Sequence, residues 1–293
     1  MDLSYLSAFL FLFLTYLYYY KIKLPLELKS ADSTDFISGD DIYKSYASYI
    51  YGNNYTTAMY FLLVVTSQFG VNLCSVIQKC GGTVGKNLVV AFFMTVVPWT
   101  LIFGAVIGLL VVYPGLKGAF ADVVGYFAIS GEANDLLSEI IVDSKIDNKI
   151  QKTEGNGEDK LAQQEAAEAI MKLCGNKGIL VNTMNPENFN SVWSILQPLL
   201  QTKFKNGANA DDLFVKKKAL FALIVRKDNI GEAFWYMYTG ALLIAVVAYN
   251  LSARACDKDL EKMKEEQADY AAKSAEIQAK KDLQKSGNSY VMS

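Results

Sequence analysis

Histidine is missing altogether from this chain of 293 residues. Its absence excludes Ser-His-Asp and Cys-His nucleophile activation, imidazole acid–base catalysis, and His-ligated zinc, iron or copper. Cysteine is scarce as well: Cys74, Cys80, Cys174 and Cys256 form no Cys-x-x-Cys, so a zinc knuckle or thioredoxin-like pair lacks its spacing. Their pairing cannot be read from spacing, and a buried free thiol is the ordinary reading of Cys74. Neither G-x-x-x-x-G-K-[ST], G-x-G-x-x-G nor G-x-S-x-G occurs. The nearest approach, Lys79-Cys80-Gly81-Gly82-Thr83-Val84-Gly85-Lys86, has no Ser or Thr after its last lysine, and apolar runs flank it. It reads as a tight turn between membrane segments rather than a phosphate loop. A net charge of −2, with only the triplet Lys216-Lys217-Lys218 as a basic cluster, gives nucleic acid no electrostatic footing. Lysine, carboxylate and tyrosine chemistry stays formally open. The balance still points to a structural or tethering protein without catalytic, cofactor or metal residues.

Charge is absent in blocks. Residues 3–20, 45–78, 87–116 and 233–253 contain no Asp, Glu, Lys or Arg, although the chain is 20% charged. A helix needs about 20 apolar residues to cross the hydrocarbon of a bilayer. The composition therefore predicts a mainly α, multispanning membrane protein with three or four transmembrane helices. Residues 1–20 form an uncleaved N-terminal anchor: its charges, Lys21 and Lys23, follow the apolar run, and Tyr18, Tyr19 and Tyr20 replace the small residues of a signal-peptide cleavage site. Residues 88–113 are the clearest crossing. Pro98 predicts a kink there, and Gly104 and Gly108 form a G-x-x-x-G that lets another helix approach, though the pattern also arises by chance. Residues 233–251 are the last crossing, opened by Phe234, Trp235, Tyr236 and Tyr238. With Tyr18, Tyr19 and Tyr20, these aromatics are expected at the membrane–water interface. In 57–77, Thr66, Ser67, Gln68, Asn72 and Ser75 dilute the apolar pattern. A full crossing buried against other helices and a re-entrant or interfacial helix both fit.

The remaining segments are a polar loop, 21–56, an α-rich extramembrane domain, 114–231, and a charged C-terminal tail, 252–293. The loop carries a glycosylation sequon, Asn54-Tyr55-Thr56. Apolar spacing in the domain predicts helices over 133–150, 159–174, 191–201 and from Asp211-Asp212 onward, with 154–158 as a linker. The tail has a broken heptad, Leu260, Met263, Tyr270 and Ile277, suited to a solvated or partner-binding helix. Loop charge mildly favours three crossings, with 21–87 and the tail on one side and 114–231 on the other. Glu232 and Asn250 mark the ends of the last crossing. No confident crossing holds an ionisable residue, which speaks against coupled transport.

One segment carries a likeness. Residues 227–256, KDNIGEAFWYMYTGALLIAVVAYNLSARAC, resemble the C-terminal membrane region of virion membrane proteins of nucleocytoplasmic large DNA viruses. The likeness rests on Asp228-Asn229-Ile230-Gly231-Glu232, Phe234-Trp235-Tyr236, Thr239-Gly240 and Asn250. It implies a minor capsid component in the virion inner membrane, linking the bilayer to the capsid shell. The implied partners are lipid and other capsid or membrane proteins. The alternative is a channel or fusion-type protein that oligomerises through Gly104, Gly108 and the polar face of 57–77.

Overall fold

A long apolar stretch has few external partners for its backbone N–H and C=O groups, and a helix satisfies them internally. The computed structural model describes residues 3–28, 40–80, 84–141, 177–205, 209–253 and 260–287. Among these there is no β-strand, only an isolated bridge between Ile141 and Leu200. Helix α1 (Leu3–Leu17) ends in a widened turn, Tyr18–Ile22. Helix α2 (Asp40–Cys80) has 41 residues. After it come α3 (Val84–Ala91) and α4 (Gly104–Val112), joined by π-type turns at Phe92–Val96 and Trp99–Phe103. Helix α5 (Tyr126–Ile140), α6 (Lys177–Thr183) and α7 (Phe189–Leu196) precede the 44-residue α8 (Ala210–Ala253), and α9 (Leu260–Gly287) closes the chain.

Four helical stretches are long and apolar enough to cross a membrane: Tyr5–Ile22, Ile42–Cys80, Asn87–Val112 and Ala210–Ala253. They pack as a bundle around rings. Phe11, Tyr18, Tyr60, Trp99, Phe103 and Tyr236 are all fully buried. The Tyr18–Tyr60 centroids lie 4.5 Å apart, Trp99–Phe103 5.2 Å and Phe11–Trp99 5.6 Å. Such pairs contribute about 0.5–1.5 kcal/mol each beyond their buried area. Gly240 makes the α1–α8 contact possible, because a Cβ there would fall 2.1 Å from the Phe11 ring. Helices α1 and α4 run toward one end of the bundle, α2 and α8 away from it. At the far end Lys79 Nζ donates to the carbonyls of Leu251 (3.0 Å) and Ser252, closing α8 where its last C=O groups lack helical partners.

Residues 57–77 belong wholly to α2, and their polar side chains explain the diluted pattern. Gln68 is fully buried; its amide donates to Ser7 O (3.0 Å) and it accepts from the Ser7 hydroxyl. Asn72 donates to Thr95 Oγ1 at 3.1 Å. Thr66 turns its hydroxyl back onto Leu62 O at 2.7 Å. The polar groups thus find partners inside the bundle or on their own helix.

At the near end sits a second core. Ile42, Tyr46, Ile129, Leu137, Phe189, Trp193, Phe221 and Ile224 pack a helical head from α5, α6, α7 and the first turns of α2 and α8.

Several expectations change. Residues 40–56, read as part of a polar loop, are helical, since Ile42, Tyr46 and Tyr49 recur at helical spacing and bury in the head. The boundary drawn at 231/232 is no break: α8 runs unbroken from head into bundle. The three-crossing arrangement separates 21–56 from 114–231, whereas here Lys23 Nζ lies 2.7 Å from Glu232 Oε1 and both segments share one end. Of the helix expected over 133–150, residues 133–140 belong to Tyr126–Ile140 and 142–150 lie outside the described residues; 191–201 is Phe189–Leu196 followed by a 3₁₀ turn, Gln197–Leu199, carrying Pro198. The helix at 159–174, the linker at 154–158, Cys174 and Cys256 lie outside the described residues. Cys74 is free but exposed rather than buried, and Cys80 is disulfide-bonded.

Candidate functional site

Where head meets bundle, four ionisable side chains from three segments converge. Asp228 and Glu232 stand one turn apart on α8, so they share a face. Lys117 ends the 3₁₀ turn Pro114–Lys117, formed where Pro114 follows the end of α4. Lys23 follows the widened turn at the end of α1; it is extended (φ −63°, ψ 127°) and its N–H donates to Tyr18 O at 2.7 Å. The Lys117 ammonium lies 2.8 Å from Glu232 Oε2 and 3.0 Å from Asp228 Oδ2. The Tyr19 hydroxyl donates to Glu232 Oε1 at 2.9 Å, the oxygen that also takes Lys23. All four side chains are less than a tenth exposed. Two lysines thus balance two carboxylates in a site with little water, and every charge has an opposite within hydrogen-bond reach.

Gly231 sets this geometry. A Cβ on it would fall 2.7 Å from Ala121 Cβ, from Ala121 N and from Lys117 O. Only a residue without a side chain lets the 117–121 turn lie directly on α8 and deliver Lys117 to its partners. One turn of α8 earlier a second ion pair extends the junction: Lys227 Nζ contacts Asp122 Oδ1 (2.8 Å) and Asn182 O (2.8 Å). Gly125 permits it, since a Cβ there would lie 2.5 Å from Lys227 O. From α2, Asn53 accepts the Leu24 N–H (2.8 Å) and donates to Tyr49 O (3.0 Å), while Tyr49 and Asn229 join side chains at 2.8 Å. A cavity of about 120 Å³ between Lys23, Tyr46, Lys117, Glu187, Asp228 and Glu232 has room for a few waters.

Burial by itself lowers the Lys117 ammonium pKa, but Glu232 and Asp228 outweigh burial and hold it above the ordinary lysine range. Glu232 does the same for Lys23. A lysine raised on folding contributes stability that is complete below its unfolded pKa and is lost as pH climbs through its folded one. The alkaline side of the thermal-unfolding profile is therefore expected to stay flat from about pH 8 to about pH 10 and to fall beyond. Circular dichroism melts in detergent read this directly, and a decline already complete by about pH 9 contradicts it.

The residues singled out from sequence fall differently. Tyr18 and Tyr236 are core rather than interface: Tyr18 stacks on Tyr60 and bonds Thr57 (2.6 Å), and Tyr236 lies 5.7 Å from Tyr60. Tyr19 is a junction ligand. Tyr20 and Tyr238 are exposed on the outer surface, and Trp235 Nε1 donates to Leu116 O at 2.9 Å beside Phe234 and Phe120. Pro98 keeps helical angles (φ −60°, ψ −42°) between two widened turns, which relieve the crowding of its ring. Gly104 meets only the Phe61 ring at an ordinary 3.5 Å and Gly108 faces open space. Among the described residues the close approaches are made by Gly52, Gly125, Gly231 and Gly240 instead.

Among the described residues no group of His, Cys, Asp or Glu is arranged to hold a metal ion. No family model, curated protein or solved structure matches this chain.

Proposed function

We propose that this chain is a structural membrane protein that holds a helical head rigidly against a bilayer, with a charged helix on the opposite side. The observation that carries this is the neutral junction of Lys23, Lys117, Asp228 and Glu232. It ties the ends of α1 and α4 to α8, three of the four helical stretches that would cross the lipid, and aims its groups at one another instead of at a substrate. Four crossings are supported by stretches of 18, 39, 26 and 44 residues, since about 20 residues at 1.5 Å each reach across a hydrocarbon core of about 30 Å. The likeness of 227–256 to virion membrane proteins supports the finer reading, a minor capsid component of a large DNA virus that ties an internal membrane to the capsid shell.

Co-purification tests the finer reading. The chain is expected to remain with assembled particles after mild detergent, and recovery only from cellular membranes overturns the viral assignment. Liposome flux separates tether from pore: a bundle filled by Phe11, Trp99 and Phe103 is expected to pass no ions. Crossing number is tested by labelling single cysteines with an impermeant reagent in sealed proteoliposomes, in a background where Cys74, Cys80, Cys174 and Cys256 are all replaced by serine. Tyr51→Cys and Val215→Cys, both exposed on the head, are expected to label to the same extent, and Ser274→Cys to the complementary extent. Complementary labelling of positions 51 and 215 restores the three-crossing arrangement.

A further inference from the structure

On the outer surface beside the junction, α1 and α8 leave a cavity of about 730 Å³, within the range of small-ligand sites. Its bundle end is lined by Leu12, Tyr16 and Met237; Leu12 and Tyr16 are 51% and 61% exposed, so the slot opens on the outer surface. Its head end is lined by Lys21, Lys23 and Arg226, where the bundle gives way to the head. Three cations and no carboxylate line it. Lys23 is already engaged by Glu232, but Lys21 is not: its ammonium lies over the Tyr20 ring at 4.6 Å. Arg226 makes only a long contact, 3.4 Å, with Glu132, and both side chains are more than half exposed, so solvent screens that pair and an anion can displace it. The cavity therefore combines an apolar slot at acyl-chain depth with two available cations at headgroup depth.

We propose that this cavity binds one anionic phospholipid, its phosphate between Lys21 and Arg226 and an acyl chain along Leu12, Tyr16 and Met237. The inference rests on the membrane reading above and adds a ligand to it. An apolar peptide would leave the two cations without a partner, and a free phosphate would leave the slot empty. A phospholipid matches both halves, and Arg226 offers its oxygens a forked donor. The bound lipid would seal the outer seam between α1 and α8 next to the buried ion pairs.

The test is native mass spectrometry of the full chain released from micelles containing phosphatidylglycerol or phosphatidylcholine. One phosphatidylglycerol is expected to remain bound, with a preference of roughly 30-fold over phosphatidylcholine from two cations at the surface. Lys21→Gln/Arg226→Gln is expected to remove the preference while leaving the circular dichroism melt unchanged. Ala233→Trp, which fills the slot and keeps both cations, is expected to remove the lipid. Equal retention of the two lipids, or a preference that survives the double substitution, overturns the proposal. A chain that stays folded and monodisperse in plain buffer overturns the membrane reading itself. A chain that needs detergent yet shows no selectivity overturns the lipid site alone.

Discussion

Glu232→Gln is expected to cost roughly 3–5 kcal/mol of folding stability, the usual cost of leaving buried charge unmatched. The substitution changes volume little but leaves two buried lysines facing Asp228 alone. Lys117 keeps Asp228 at 3.0 Å, whereas Lys23 loses its carboxylate altogether, and Tyr19 loses a charged acceptor. The effect belongs to mismatch, not to the net worth of the bridges. Lys23→Met/Glu232→Met, which removes one charge of each sign and keeps the Lys117–Asp228 pair, is therefore expected to regain most of the loss, since apolar replacement of a whole buried pair is often neutral or stabilising. Denaturant titration in mixed micelles measures both variants. A single variant within about 1 kcal/mol of the parent would mean the junction is wet and carries little, as exposed pairs do.

A glycine pair gives the second large effect, with opposite signs at its two positions. Gly231→Ala is expected to destabilise by about 1–3 kcal/mol, the range for forcing extra volume into a packed site. The new methyl group would meet backbone atoms of Lys117 and Ala121 at 2.7 Å, and backbone cannot swing aside as a side-chain tip can. The 117–121 turn must lift, and it carries Lys117 away from Asp228 and Glu232. Gly108→Ala meets nothing within 4 Å and gains about 1 kcal/mol of helix propensity. Melting the two variants side by side decides the matter. If Gly108→Ala destabilises the isolated chain and Gly231→Ala does not, the close approaches have been placed at the wrong glycines.

The outline of the fold was legible in the sequence because it depends on local properties. Blocks free of ionisable groups marked the apolar helices, and the helical spacing of Val192, Ile195 and Leu196 marked a helix of the head. What failed depended on contacts between distant segments. Gln68 and Asn72 looked like dilution of a crossing because their partners, Ser7 and Thr95, lie far along the chain. The aromatics at 18–20 and 234–238 were read as one class, but a helix distributes consecutive residues around its axis, so Tyr18 and Tyr236 point inward while Tyr20 and Tyr238 point out. The junction was missed for the same reason: Lys23, Lys117 and Glu232 each resembled an ordinary charge flanking an apolar run. A signal was present. Two apolar blocks end in lysine on the way into the head, and a third opens after carboxylates at 228 and 232, one helical turn apart. Opposite signs at the boundaries of antiparallel helices are what a shared ionic layer requires.

Helix α8 crosses that layer without interruption, 44 residues from Ala210 to Ala253. At 1.5 Å per residue it is a rod of roughly 66 Å, clamped near its middle by Lys23 and Lys117 and at its far end by Lys79. A load applied to the head has no hinge in which to dissipate: it turns the rod about the clamp and tilts the opposite face by the same angle. Whatever grips the head thereby sets the tilt of the far end of α8, at Ala253.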